Sequence, residues 1–232
     1  MIELSPRLGM VAGLVPPGAR LADIGTDHAY LPAALVGEGK IPSAIAADLR
    51  QGPLARARET VRRAGLTGKI FFRLCDGLSG IRPDEVDAVA IAGMGGETIA
   101  AILAAAPWVR ERDVPLVLQP MSSMPDLRLW LAGHGYRIQE EWLCREGETL
   151  YTAFSVRAGE MGPMTPAELW AGRNPNTPLR GEWLDHWLAR TRRALEGMAL
   201  ARGEGAPARR RELEEVYDGL LAMKKEWEQW QR

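Results

Sequence analysis

Short apolar segments that predict β-strands alternate with helical segments from Arg20 to His134, and this alternation constrains the fold more than any other feature. Parallel strands need crossover helices, so the pattern predicts a parallel sheet with helices on both faces. The segment VDAVAIA is apolar throughout, which is typical of a strand buried on both faces. The predicted strands are Arg20–Ile24, Ser43–Ala47, Lys69–Leu74, Val86–Ala92 and Pro115–Leu118.

The predicted helices begin and end at residues that favour helix termini. Ser5 would cap the first helix, and Pro6 suits its first position. Two longer strands, Tyr136–Arg145 and Thr149–Arg157, follow the last of these helices as a hairpin, which makes the final strand antiparallel. Five βα units and a hairpin predict an α/β fold with a doubly wound, Rossmann-like sheet. The helices are predicted at residues 5–15, Ala29–Val36, Pro53–Ala64, Glu97–Ala106 and Pro125–His134.

The pattern changes after residue 160, which predicts a first domain over residues 1–160 and a second over residues 161–232. Thr165-Pro166-Ala167-Glu168 has the sequence of a capping box. Two long helices, Glu182–Arg202 and Ala208–Gln231, carry apolar stripes and therefore predict an antiparallel helical hairpin. Trp183, Trp187 and Trp227 lie on these stripes, which favours a core position over stacking on bases.

Composition limits the classes of function. The 232 residues are 46% hydrophobic and carry a formal net charge of −1, so an RNA partner would need local basic patches. Cys75 and Cys144 are the only cysteines, which disfavours a thiolate zinc site, and we expect no bound metal. Neither a signal peptide nor a window of ~20 apolar residues occurs. We therefore expect a cytoplasmic protein with no membrane association.

The loop Asp23-Ile24-Gly25-Thr26-Asp27-His28 follows the first strand and opens a helix, as a cofactor loop should. It lacks the G-x-G-x-x-G pattern that brings backbone amides to a pyrophosphate. Carboxylates suit the ammonium of S-adenosylmethionine instead, and Gly25 lets the backbone approach closely. An ordinary acidic turn capped by Asp27 is the alternative.

Polar and glycine-rich loops follow the next three strands. Asp48 ends the second strand, where an acid accepts hydrogen bonds from ribose hydroxyls in both methyltransferases and NAD enzymes. Asp76-Gly77 would accept from an adenine amino group, but Asp-Gly is also a common turn. The segment AGMGGETI would expose backbone where cofactor and substrate meet, although a structural turn is the alternative.

These loops together resemble those of the bacterial tRNA (adenine-N1)-methyltransferases that modify adenosine 22. The resemblance rests on LSPRL, DIGTDHAYLP, DGLS, GMGG, LVLQP, EGETLY and TPAELW, so it spans nearly the whole chain. It implies a class I methyltransferase domain, a C-terminal coiled-coil-like domain, S-adenosyl-L-methionine as cofactor and tRNA as partner. The product would be 1-methyladenosine, and we expect a monomer.

The resemblance also implies the site. The cofactor pocket would be formed by Asp23, Gly25, His28, Asp48, Leu49, Asp76, Gly77, Gly93 and Met94. The substrate side would be bordered by Asp27, Tyr30, Met94, Gly95 and Gln119. In this interpretation Asp27 stabilises the cationic product ring and Tyr30 stacks on the flipped base, although packing of its helix is an equal alternative.

Two questions stay open at the level of sequence. Candidate tRNA contacts are Arg7, Arg56, Arg58, Arg62, Arg63 and Arg209–Arg211, but mixed Arg/Glu helices often form plain solvated faces. The competing functions are a methyltransferase for another RNA or a small molecule, an NAD-dependent oxidoreductase, and a non-catalytic tRNA-binding module.

Overall fold

A computed structural model describes residues 2–198 and 205–231 of the chain. It divides into two compact units, Met1–Met161 and Gly162–Arg232. The first unit contains a seven-stranded sheet in the order β3-β2-β1-β4-β5-β7-β6. Its strands are β1 (Leu21–Ile24), β2 (Ala44–Asp48), β3 (Ile70–Leu74), β4 (Ala88–Gly95), β5 (Leu116–Ser122), β6 (Tyr136–Glu146) and β7 (Thr149–Ala158).

The sheet is parallel from β3 to β5, and β7 is antiparallel to both of its neighbours. The order reverses beside β1, because β2 lies on one side of it and β4 on the other. This is the doubly wound arrangement with an antiparallel last strand that the sequence predicts. Ligands of such sheets bind beyond the carboxyl ends of the strands, at the point where the order reverses.

Six helices of the first unit flank or connect the strands. Ser5 caps the first of them, with its hydroxyl accepting from the Leu8 N–H at 3.5 Å, as predicted. The six are α1 (Pro6–Leu14), α2 (Tyr30–Gly37), α3 (Gln51–Arg63), α4 (Gly96–Ala104), α5 (Trp108–Glu111) and α6 (Met124–Gly133). The short helix α5 was not predicted, because four residues are too few to show a helical period.

The prediction of five βα units is wrong at the third strand. Residues 75–87, all of which are described, form turns and bends without a helix between β3 and β4. Asp76, Gly77, Gly80 and Pro83 interrupt any helical period there. β4 and β5 are also longer than predicted, because β4 continues through Gly93 and Gly95 along its neighbour.

Apolar side chains pack on both faces of the sheet. One cluster includes Ile91, Ile99 and Leu118, and the other includes Leu21, Leu35 and Ala90. Arg128 of α6 makes a fully buried ion pair with Glu141 of β6, with 3.0 Å between Nε and Oε1. No sequence pattern predicts this pair, since charged residues on an amphipathic helix and strand are normally solvated.

The second unit consists of α7 (Pro166–Ala171), α8 (Pro178–Met198) and α9 (Ala206–Trp230). The predicted capping box is present, because Thr165 accepts from the Glu168 N–H while Glu168 accepts from the Thr165 N–H. Lys224 pairs with Asp185 and Arg192 bonds Tyr217, so α8 and α9 run antiparallel as predicted. The predicted continuation of α8 to Arg202 lies outside the described residues.

Trp183 and Trp187 belong to the core of the second unit and Trp227 is half-buried, as predicted from the apolar stripes, whereas Trp230 is exposed. Trp183 and Trp187 are buried and in edge-to-face contact, with 5.5 Å between their ring centroids. Trp183 donates to the Ala171 carbonyl, and Trp227 donates to the Thr177 carbonyl. Throughout residues 2–198 and 205–231, no helix combines the length and apolar character needed to cross a membrane.

Candidate functional site

A hollow of about 860 Å³ lies at the carboxyl ends of β1, β2, β3 and β4. We call it the central hollow. Its volume falls within the range of roughly 300–1,000 Å³ that is typical of small-molecule sites. It is lined by eight of the residues that the sequence assigns to the site, namely Gly25, Asp27, Asp48, Leu49, Asp76, Gly77, Gly93 and Met94, and also by Arg50, Arg56 and Ile102.

The loop after β1 turns back sharply beneath the central hollow. Gly25 and Thr26 donate their N–H groups to the Ala47 carbonyl at 2.8 and 3.0 Å, which ties the loop to β2. Gly25 has a φ of +74°, and a Cβ atom there would collide with the Met94 methyl group. Glycine is therefore favoured by the backbone conformation, while the Met94 methyl group, which ends a flexible side chain, could move aside.

Asp23 lies below the loop rather than in the central hollow. Its side chain is buried and accepts a hydrogen bond from the Thr26 hydroxyl at 2.6 Å. Burial raises the pKa of Asp23 to about 6, and the nearby Asp48 carboxylate adds to this rise, whereas the Thr26 hydrogen bond opposes it. Asp23 therefore supports the loop from beneath.

Asp48 and Asp76 bring two carboxylates to the central hollow from neighbouring strands. Asp48 ends β2, and its Oδ1 accepts the Arg50 N–H at 2.8 Å, which holds the side chain at the strand end. Asp76 is exposed in the turn after β3, where its carbonyl accepts the Ser79 N–H. Gly77 has a φ of +52°, and a Cβ there would lie 3.0 Å from Ile102, so this turn also needs glycine.

The GMGG segment is irregular at the end of β4. The pairing of β4 with β5 shifts on both sides of Met94, so Met94 lines the central hollow while Gly95 pairs with Ser122 instead. Gly96 begins α4, and a Cβ there would lie 2.5 Å from the Ser123 carbonyl oxygen. The glycines therefore let β4, α4 and the end of β5 pack closely.

His28, Tyr30 and Gly95 were predicted to be site residues, but they do not line the central hollow. His28 and Tyr30 stack on each other with 5.1 Å between ring centroids. Tyr30 is 43% exposed and faces a neighbouring hollow that Arg63 and Leu66 also line. The reason is local: Asp27 and Ala29 have φ values of 44° and 56°, which turn the chain outward before α2 begins.

Gln119 occupies a different position from the one that the resemblance implies. Its side chain is completely buried, and its Oε1 accepts from the Gly93 N–H at 3.1 Å and from Arg7 Nη1 at 2.8 Å. Its Nε2 donates to the Pro120 carbonyl at 3.0 Å. Gln119 therefore holds the backbone of the site in place, and Arg7 is brought to the site although the sequence suggested only a general tRNA contact for it.

Most of the candidate tRNA-binding arginines have partners within the protein. Arg56 pairs with Asp27 at 2.6 Å, and Arg62 and Arg63 both pair with Glu59. Arg58 lies over the Phe72 ring. On α9, Arg209 pairs with Glu212 and Arg210 with Glu214, while the Arg211 Nε donates to the Pro207 carbonyl. Among the described residues, no group of three or more His, Cys, Asp or Glu side chains is arranged to hold a metal ion.

Comparison with known proteins identifies relatives of this arrangement. Residues 4–154 match the family described as "Methyltransferase domain". The tRNA (adenine(22)-N(1))-methyltransferase of Bacillus subtilis strain 168 is 40% identical over 159 residues, which cover 68% of this chain and 67% of the relative.

Solved structures agree over nearly the full length. The M1A22 tRNA methyltransferase TrmK of B. subtilis superposes with a TM-score of 0.83 at 31% identity, covering 97% of this chain and 100% of the other. A Streptococcus pneumoniae protein crystallised in complex with S-adenosyl-L-methionine superposes with a TM-score of 0.80 at 34% identity, covering 93% and 100%.

Proposed function

The chain belongs to the family of tRNA (adenine(22)-N1)-methyltransferases, and we propose that it transfers the methyl group of S-adenosyl-L-methionine to N1 of adenosine 22 in tRNA. The observation that carries this proposal is the central hollow, where the carboxylates of Asp27, Asp48 and Asp76 meet glycine backbone at the switch in strand order. The product is 1-methyladenosine.

The residues of the central hollow fit the proposed cofactor. Asp48 is placed to accept hydrogen bonds from ribose hydroxyls, and Asp76 to accept from an adenine amino group. Leu49 offers an exposed apolar side chain to a base. Gly25 and Gly93, both at positive φ, form part of the wall of the hollow with backbone alone, and the methionine end would lie beside that backbone once the Met94 side chain turns away from Gly25. S-adenosylmethionine supplies a methyl group on a positively charged sulfur, which is the electrophile of the reaction.

The protein's part in catalysis is chiefly to position the reactants. Neutral adenine already has a lone pair at N1, so no strong base is needed before attack, and the main requirement is alignment of N1 with the methyl group. The target base must leave its stack, and we propose that Tyr30, which is exposed although it lies outside the central hollow, stacks on it, a contact worth roughly 1–3 kcal/mol.

Asp27 is the carboxylate best placed to stabilise the cationic product ring. It lines the central hollow and is exposed, but it pairs with Arg56. Asp27 would therefore have to share its charge between Arg56 and the methylated base. This role adds electrostatic stabilisation to the alignment described above.

The two units are proposed to have separate tasks. Residues 1–160 would bind the cofactor and the target base, and residues 161–232 would bind tRNA. We also propose that the protein acts as a cytoplasmic monomer. Light scattering of the purified protein tests the monomer, and microscopy of a tagged chain in the source cell tests the location.

Mass spectrometry of tRNA nucleosides after incubation with protein and cofactor tests the function directly. 1-Methyladenosine should appear in tRNA and disappear when adenosine 22 is replaced by guanosine. Equal methylation of the replaced tRNA would refute the site assignment, and stronger methylation of ribosomal RNA fragments would favour a different RNA substrate. Calorimetry with S-adenosylmethionine and NAD separates the methyltransferase from an oxidoreductase.

A further inference from the structure

Arg7 is fixed at the edge of the central hollow by contacts at both its backbone and its side chain. Its N–H donates to Glu146 Oε2 at 2.9 Å, and the Ser5 hydroxyl also bonds Glu146, so the first turn of α1 is tied to the end of β6. Its guanidinium lies over the Tyr151 ring at 5.8 Å and donates to Gln119. A half-buried arginine is thus held in one place.

The Arg7 guanidinium makes no direct ion pair. The Glu146 carboxylate lies within range of its charge, which, after the hydrogen bonds from Ser5 and from the Arg7 N–H, helps to hold the pKa of Glu146 below its usual value. Within the described part of the chain, no carboxylate oxygen lies within 4.0 Å of it. One guanidinium nitrogen, Nη1, bonds the neutral Gln119 amide, which leaves other donors of the fork unused. Several other arginines of the first unit are neutralised directly, because Arg20, Arg56, Arg73 and Arg157 all pair with carboxylates.

The position of this charge relates it to the reaction. The Nη1 atom lies 3.5 Å from the point where a Cβ of Gly93 would be, and Gly93 lines the central hollow. The same Gln119 oxygen that binds Arg7 also accepts the Gly93 N–H, so both groups share one buried anchor. A guanidinium with spare donors beside an exposed glycine backbone is suited to an oxyanion.

We propose that Arg7 is an oxyanion-binding residue of this site, with Gln119 as the positioning residue that aims it. The proposal rests on the proposed function, which supplies two oxyanions at this place. One is the carboxylate at the methionine end of S-adenosylmethionine, and the other is a phosphate next to the target adenosine. Both would use the same forked, charge-assisted hydrogen bonds.

The variants Arg7→Met and Arg7→Lys test the proposal, with Arg82→Met as control. Arg82 is an exposed arginine of the same unit that does not line the central hollow, so its loss removes equal charge elsewhere. Cofactor affinity is measured by calorimetry without tRNA, and KM for tRNA is measured at several salt concentrations. Thermal unfolding establishes that each variant is folded, and Arg7→Lys should retain part of any lost affinity.

Two modified ligands, one without the carboxylate of S-adenosylmethionine and one without the charge of the tRNA phosphate, show which of the two anions Arg7 binds. If Arg7 binds the carboxylate, Arg7→Met weakens S-adenosylmethionine about tenfold, and decarboxylated S-adenosylmethionine binds wild type and variant equally. If Arg7 binds the phosphate instead, Arg7→Met leaves cofactor affinity unchanged and raises KM for tRNA about tenfold. The slope of the logarithm of tRNA affinity against the logarithm of salt concentration, here called the salt slope, then falls in magnitude by about one. A neutral methylphosphonate beside adenosine 22 then removes the difference between the two proteins.

The proposal is overturned if Arg7→Met changes the affinities for S-adenosylmethionine and for tRNA by less than twofold. It is also overturned if the substitution weakens decarboxylated S-adenosylmethionine and methylphosphonate-containing tRNA as much as the unmodified ligands. If Arg7→Met does not fold, the wild-type protein alone still tests the proposal. The proposal is then overturned if wild type binds decarboxylated and intact S-adenosylmethionine equally, and also binds methylphosphonate-containing and unmodified tRNA equally. Failure of the proposed function would be seen separately, as wild-type protein that yields no 1-methyladenosine.

Discussion

Asp23 is a carboxyl group whose chemistry is changed by burial beneath the cofactor loop. The unfolded chain releases its proton near pH 3.8, whereas the folded protein retains it up to about pH 6. Between these values the folded state binds more protons, so this group's contribution to stability is present below pH 3.8 and is lost as the pH rises to about 6. A shift of this size corresponds to a loss on the order of 3 kcal/mol.

Asp23→Asn should remove this loss while keeping an acceptor for the Thr26 hydroxyl. The free energy of unfolding of the variant should exceed that of wild type by an amount that grows from pH 4 to about 6, reaching roughly 1–3 kcal/mol, and then stays constant. Urea denaturation across this range measures the difference. A difference independent of pH would mean that Asp23 is ionised in the folded protein throughout.

Asp48→Ala should weaken binding of S-adenosylmethionine by about 1.5–3 kcal/mol, because hydrogen bonds from the ribose to a charged group are lost. Calorimetry measures this directly. Glu111→Ala is the matched control, since it removes an exposed carboxylate that does not line the central hollow. Unchanged affinity in Asp48→Ala would remove Asp48 from the proposed cofactor site.

The sequence could predict those site residues that lie in loops directly after predicted strands. Gly25, Asp48, Asp76 and Gly93 are of this kind, because the carboxyl ends of parallel strands meet at one edge of a sheet. Arg7 could not be placed in this way. It reaches the site from a helix before the first strand, through contacts with Gln119 and Glu146 that lie far away in sequence.

Helix α4 begins at a glycine whose surroundings leave no room for a side chain. Gly96→Ala would place a methyl group 2.5 Å from the Ser123 carbonyl and 3.1 Å from the Leu127 Cβ, so strands or helices must move. We expect the variant to lose about 1–3 kcal/mol of unfolding free energy, measured by urea denaturation. Gly9→Ala in α1, where nothing lies within 4 Å, should gain about 0.5–1 kcal/mol instead. Equal stability of the two variants would contradict the packing argument.

The order of helices and strands was predictable because the hydrophobic period changes clearly along the chain. The loop after β3 was not, since a crossover helix was assumed where turn residues stand. The extension of β4 was missed because glycine has low strand propensity, and the strand continues past Gly93 only because Met94 and Gly95 pair with β5. The ion pair between Arg128 and Glu141 depends on tertiary packing that no local pattern records.

At the scale of the whole molecule, recognition of tRNA needs cations that acids do not neutralise. Arg190 and Arg193 of α8 are exposed, and within residues 2–198 and 205–231 neither forms an ion pair. Arg190 lies over the Trp187 ring, and Arg193 donates to the Ala189 carbonyl. In contrast, Arg209 and Arg210 each have a glutamate partner on α9.

The double variant Arg190→Ala/Arg193→Ala should therefore raise KM for tRNA and leave cofactor affinity unchanged. The slope of the logarithm of tRNA affinity against the logarithm of salt concentration should fall in magnitude by about two. Arg209→Ala/Arg210→Ala is the matched control, and it should have a smaller effect because each arginine is already paired. Steady-state kinetics at several salt concentrations measure both. If the α9 variant had the larger effect, the tRNA contact would be on α9, where the sequence first suggested it.

The position of β7 between β5 and β6 has a consequence for synthesis of the protein. All residues that line the central hollow precede β5, so they leave the ribosome before β7 does. Until β7 emerges, the growing chain has an open edge at β5, and such edges pair readily with other chains. A nascent chain arrested before Thr149 would therefore contain every residue that lines the hollow and still be prone to aggregation.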